Sequence, residues 1–169
     1  MQYSEIMNAI TMLPGFYLAC LACLACKTNL YRSLSYALIC LASIIHHLWK
    51  SVDGDDRYTF RLDLTSQQIF SFICLNNHDQ KYVYNARLGL MLLTCISLKL
   101  STVYDEFVLF FINLIMCILC VGNNMDAQGK LVITSTLFLC GKTHNYMRAV
   151  FHPLFHLYVH VFIWSVINY

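Results

Sequence analysis

The chain has 169 residues, 59% apolar and 12% charged, where a soluble domain carries about 45–50% and about 25%. Eleven Lys and Arg against nine Asp and Glu leave no basic surface for nucleic acid. With a mean hydropathy of +0.58, these values exclude a soluble enzyme, a disordered tail and a nucleic-acid binder, and point to one integral, multi-pass membrane domain over residues 1–169.

Uncharged runs set the predicted helices, because about 18–20 such residues cross a bilayer. The first run covers residues 6–26, 21 positions without charge. Its length, and Glu5 where a leader would carry basic residues, argue against a cleaved signal peptide. The second covers 33–49 and ends on His46 and His47. Asp53, Asp55 and Asp56 follow around Gly54 and read as solvated turn residues, without the remaining ligands of a calcium loop. The third run covers 64–77 and opens on Asp63. The fourth, 88–98, lies between Arg87 and Lys99, whose snorkelling side chains extend it to 83–103. The fifth covers 107–125, the sixth 131–141, and the seventh 149–169.

Seven spans of about 20 residues use about 140 positions and leave only short loops. The expected fold is all-α, a polytopic bundle of seven transmembrane helices, with five spans as the alternative. Basic residues do not orient it: loops after odd spans hold five and loops after even spans six.

All nine cysteines lie in apolar stretches, where a thiol acts as a small apolar side chain. The spacings Cys20-x-x-Cys23-x-x-Cys26 and Cys117-x-x-Cys120 fall on continuous apolar helices rather than knuckle turns and read as packing. Cys26 beside Lys27 is a candidate for palmitoylation.

Ionisable groups inside spans are costly and are functional candidates by default. His152, His156 and His160 repeat at i, i+4 and i+8, so they share one helix face. Two imidazoles one turn apart can reach one metal ion. Pro153 suits the first turn of a helix and would set His152 near the membrane surface. Ser43 and His47 are also i, i+4, and His47 offers a third imidazole for a zinc ion with an open position. Asp63 reads either as a carboxylate at a helix N-terminus or as the base that takes a proton from the attacking water.

Ser43-x-x-x-His47, then Asp63, then His152-x-x-x-His156 in the last helix resembles the CREST group of seven-helix membrane proteins. That group holds alkaline ceramidases, progestin and adipoQ receptors, GPI-lipid remodelling proteins and the myomaker branch. Residues 27–63 and 145–160 look most like the myomaker branch, and Arg61-Leu62-Asp63 is also similar to the receptor branch. Residues 76–145 match by hydropathy alone.

The resemblance implies a zinc ion near one membrane face, held by His47, His152 and His156, with Ser43 and Asp63 on its water. His46 and His160 are additional and could replace a neighbour in that set. The implied activity is zinc-dependent hydrolysis of a lipid amide or ester, the substrate being of ceramide or phospholipid type. The alternative is a myomaker-like or receptor-like membrane protein that keeps zinc as a structural clamp; a blander one is a small hydrophobic protein with no metal. Against the family, the third and sixth helices are cramped.

Overall fold

A computed structural model describes residues 3–25, 30–52, 57–74, 125–143 and 145–167, together with single positions between 89 and 121. The described residues form helices, as an all-α chain requires: α1 (Tyr3–Ala25), α2 (Leu30–Ser51), α3 (Arg57–Cys74), α4 (Met125–Thr143) and α5 (Asn145–Ile167). These cover the first, second, third, sixth and seventh expected spans. The fourth and fifth, 83–103 and 107–125, lie almost wholly outside the described residues. Among the described residues, two helices are long and apolar enough to cross a membrane, within Tyr3–Ala25 and Met147–Val166. α2 lies along both α1 and α3, α4 pairs with α5, and α5 closes onto α1.

Every described helix starts before its expected run, and two of these starts move a candidate residue. α3 begins at Arg57, so Asp63 lies inside the helix, not at its opening. The distance is about two turns, beyond the reach of the N-terminal dipole. α5 begins at Asn145, so Pro153 stands in the helix interior rather than its first turn. His152 is buried among the helices.

The faces of α1 explain how it packs. Ile10, Leu13, Tyr17, Leu21 and Leu24 point outward at helical spacing. Glu5, Asn8, Ala9, Met12, Gly15, Ala19 and Ala22 point inward. Small and polar groups thus face the neighbouring helices, where close backbone approach matters most. The apolar core sits deeper, around Met12, Tyr36, Ile39, Phe70, Phe162 and Ile163. Hydroxyls inside the helices donate back to their own turn, as Ser35 does to the Arg32 carbonyl at 2.9 Å and Ser66 to the Asp63 carbonyl at 2.6 Å. Among the described residues, Cys20, Cys23, Cys40, Cys74 and Cys140 form no disulfide with one another; Cys26, Cys95, Cys117 and Cys120 lie outside the described residues.

His160 ties three helices together. Its Nε2–H donates to the Thr11 carbonyl at 2.8 Å, so Nδ1 carries the lone pair and accepts the Tyr36 hydroxyl at 2.6 Å. Gly15 gives the imidazole its room. A Cβ at that position would collide with the His160 ring and lie 2.6 Å from the Tyr36 oxygen. Gly15→Ala is therefore expected to cost about 1–3 kcal/mol through overpacking. Thermal unfolding in detergent, followed by loss of helical circular dichroism, reads this out; an unchanged midpoint would contradict the packing described.

Candidate metal centre

The site is assembled where the C-terminal turns of α2 meet α3, α5 and the start of α1. On α2, the i, i+4 spacing sets Ser43 and His47 on one inward face, and both are buried. On α5 the same spacing sets His152, His156 and His160 inward. Gly141 of α4 packs against α5 at His152: a Cβ there would be in ordinary contact, 3.4 Å from the His152 backbone nitrogen.

His47, His152 and His156 converge. One ring nitrogen from each lies within 4.8 Å of the other two, so the three can hold a metal ion. His47 Nε2 and His156 Nε2 are 3.0 Å apart. The three rings meet nearly edge to face, with interplanar angles of 83°, 77° and 90°. Tetrahedral zinc with Zn–N of about 2.0–2.1 Å sets neighbouring ligand nitrogens about 3.3 Å apart. The His47–His156 spacing of 3.0 Å is close to that value, and all three donor atoms lie within 4.8 Å of one another. His152 Nδ1 is buried without a protein hydrogen-bond partner. An orphaned buried nitrogen costs about 1–3 kcal/mol, which metal coordination nearby would help to offset. The donor set therefore fits a divalent cation that accepts imidazole.

Glu5 fixes the chemistry of His47. Its Oε2 lies 2.8 Å from His47 Nδ1. A carboxylate only accepts, so Nδ1 carries the proton and Nε2 presents its lone pair toward His156. Glu5 is in turn held by Arg148, whose Nη2 donates to Oε1 at 3.2 Å, and by the Asn8 amide at 3.3 Å. A carboxylate paired in this way with a metal-ligating histidine orients the ligand and raises its basicity. Glu5 is 2% exposed, so its charge depends on these partners. Sequence reasoning missed Glu5, Asn8 and Arg148. The available signal was a carboxylate at the edge of an apolar run, which needs partners once buried.

Ser43 and Asp63 stand beside the triad. Both line a cavity of about 130 Å³ together with His156. Asp63 Oδ1 is buried and has no protein hydrogen-bond partner. A second cavity of about 110 Å³ lies on the other side, lined by His46, His47, His152, His156, Lys50, Lys142 and Arg148 among others. Asp63, Gln67, Phe155 and His156 border both, so the two spaces share a wall at the triad.

Compared with known proteins, the chain matches no family model, no curated protein and no solved structure. The site is accordingly read from its own geometry.

The two additional histidines lie off the triad. His160 spends both nitrogens on Thr11 and Tyr36. His46 faces α3, with Nδ1 3.3 Å from the Thr59 hydroxyl and its ring against Phe60.

Glu5→Gln is expected to weaken metal binding about 10–100-fold, the usual effect of removing an outer-shell partner. The amide keeps the shape but no longer enforces one tautomer of His47. Competition with a chromophoric chelator measures the change, and equal affinity in the two proteins would contradict this role for Glu5.

Proposed function

We propose that the chain is a zinc-dependent hydrolase acting on the amide or ester bond of a membrane lipid, within a seven-helix membrane bundle. One observation carries the reading: the cavity that meets the histidine triad at Ser43, Asp63 and His156 continues into apolar wall, including Met12, Ile39, Phe70, Leu131 and Phe162. At about 130 Å³ it approaches the size, about 150 Å³, at which an apolar cavity admits benzene. That is room for part of an acyl chain with its carbonyl at the polar end. The outward apolar and inward polar faces of α1 support surroundings of lipid. The resemblance in motif order to the ceramidase-containing group agrees with this reading.

Zinc bound to His47, His152 and His156 would supply Lewis acidity and make water nucleophilic at neutral pH. The residues do the rest. The Asp63 carboxylate accepts one proton from the attacking water as the water oxygen bonds to the lipid carbonyl carbon. Ser43 O–H donates to the carbonyl oxygen as negative charge develops there. When the carbon–nitrogen or carbon–oxygen bond breaks, Asp63 returns the proton to the departing amine or alcohol. The products are a fatty acid and the deacylated lipid.

The competing reading is a structural zinc clamp in a protein that remodels membranes. The close Glu5–His47–His156 packing favours it, since a tightly held ligand set also suits a structural ion. Fatty-acid release from N-acylsphingosines and glycerophospholipids, by protein with and without zinc, separates the two.

A further inference from the structure

We propose that the acyl group taken by this site is of medium length, about six to eight carbons, because the cavity beside the triad ends blindly inside the bundle. The inference rests on the hydrolase reading and names its substrate class by acyl length.

Helix rise measures the depth of the cavity. It begins at Ser43, Asp63 and His156, and its wall continues along the same helices to Ile39 on α2, Phe70 on α3 and Ile163 on α5. Asp63 to Phe70 and His156 to Ile163 are each seven positions. That is about 10 Å along a helix, the length of about eight extended carbons. Volume gives a similar figure. The cavity holds about 130 Å³, a little under the about 150 Å³ that admits benzene with its roughly six carbons.

The far end is shut. One to two turns beyond the wall, each described helix supplies a buried residue that does not line the cavity: Ala19, Tyr36, Cys74, Ala127 and Val166. They belong to the same packed cluster as Met12, Ile39, Phe70, Phe162 and Ile163, which form the deep wall. A core at interior density leaves no path for further methylenes. Phe155, next to His156 in sequence, is half-buried, whereas the deep wall is buried throughout. Among the described residues, the less enclosed end is therefore the polar one.

An acyl group with its carbonyl beside Ser43, Asp63 and His156 has its tail directed at this closed end. Each methylene up to the wall buries apolar surface, and a chain that continues past it must displace packed side chains. Water adds its hydroxyl to the acyl carbon and its proton to the departing amine or alcohol. The products are a medium-chain fatty acid and the deacylated lipid.

The test measures fatty-acid release by the zinc-loaded full chain in non-ionic detergent. The substrates are N-acylsphingosines and 1-acylglycerols carrying butanoyl, octanoyl, dodecanoyl or hexadecanoyl groups. The octanoyl lipid is expected to be cleaved fastest, with the hexadecanoyl lipid at least about tenfold slower, as overpacking of a filled core requires. Two variants shorten the cavity from different helices, Ile163→Phe on α5 and Ile39→Phe on α2. Each should move the best substrate from octanoyl to butanoyl while keeping its zinc, and if one fails to fold the other decides. A variant that only loosened the fold would slow every length alike, and using the same micelles cancels detergent partition between the proteins. Hexadecanoyl lipid cleaved as fast as octanoyl would overturn the length assignment and leave the hydrolase reading standing. So would an octanoyl optimum that persists in either zinc-loaded variant. If no lipid of any length is cleaved, the hydrolase reading fails, and equilibrium binding of the same N-acylsphingosines decides the cavity. A preference for octanoyl that is lost in Ile163→Phe then keeps it as a site for a medium-length acyl chain. Equal binding of octanoyl and hexadecanoyl lipid overturns it.

Discussion

Alanine in place of His47, His152 or His156 is expected to strip the protein of most of its zinc. Each residue supplies one of three nitrogens gathered within 4.8 Å. Removing one leaves two ligands and a solvent-sized gap, so the loss should exceed the about 10–100-fold caused by outer-shell changes. Stability should follow, because an ion that binds the native state alone contributes about 2.7 kcal/mol at 100 times its dissociation constant. His160→Gln is the control. His160 bonds to Tyr36 and Thr11 rather than to the triad, so the folded variant should keep its metal. Elemental analysis of purified protein reads all four variants. Full zinc in the three alanine proteins would remove the triad assignment.

Asp63→Asn should lower lipid hydrolysis about 10²–10⁴-fold, the usual contribution of a general base. Zinc and fold should survive. Asp63 Oδ1 makes no protein hydrogen bond, the carboxylate's bond with the Gln67 side chain can be kept by an amide oxygen, and the Ser66 hydroxyl bonds to the Asp63 main-chain carbonyl, which the substitution leaves in place. The amide is isosteric with the carboxylate but cannot accept the proton. Fatty-acid release at saturating lipid is the measurement, with zinc content measured on the same sample. Unchanged release would take Asp63 out of the chemistry. If the ion were a clamp only, Asp63→Asn would change stability slightly and no catalytic rate would exist to fall.

Much of the helical pattern was legible in the sequence, and the exceptions have physical causes. α1 ends within one residue of the first uncharged run but starts three residues before it, at Tyr3, and so takes in Glu5. The same rule misplaced the starts of α3 and α5. α3 carries Arg57 and Arg61 in its first turns, and a rule that counts uncharged residues begins only after them. α5 includes Arg148, which the rule excluded; its ion pair with Glu5 at 3.2 Å lets a guanidinium lie within the helix. Pro153 was then assigned to a first turn that lies farther back, at Asn145.

The triad was legible because two of its members share a helix face, and i, i+4 spacing is a local property. Glu5 was not. Its partners His47 and Arg148 are 42 and 143 positions away in sequence, and no local period encodes such a contact. Lys50, Lys142 and Arg148 looked like ordinary flanking charges for the same reason. Only the packing of α2, α4 and α5 brings them to one cavity.

The account turns on whether zinc in this site cleaves lipid. The direct measurement is fatty-acid release from 1-acylglycerol 3-phosphate and N-acylsphingosine by the wild-type protein as purified, after chelation, and after zinc is restored. The account predicts release from at least one of the two lipids in the first state, loss after chelation and recovery with zinc. Protein carrying one full equivalent of zinc at the triad, with no release from either lipid, would contradict it and leave the metal as a clamp.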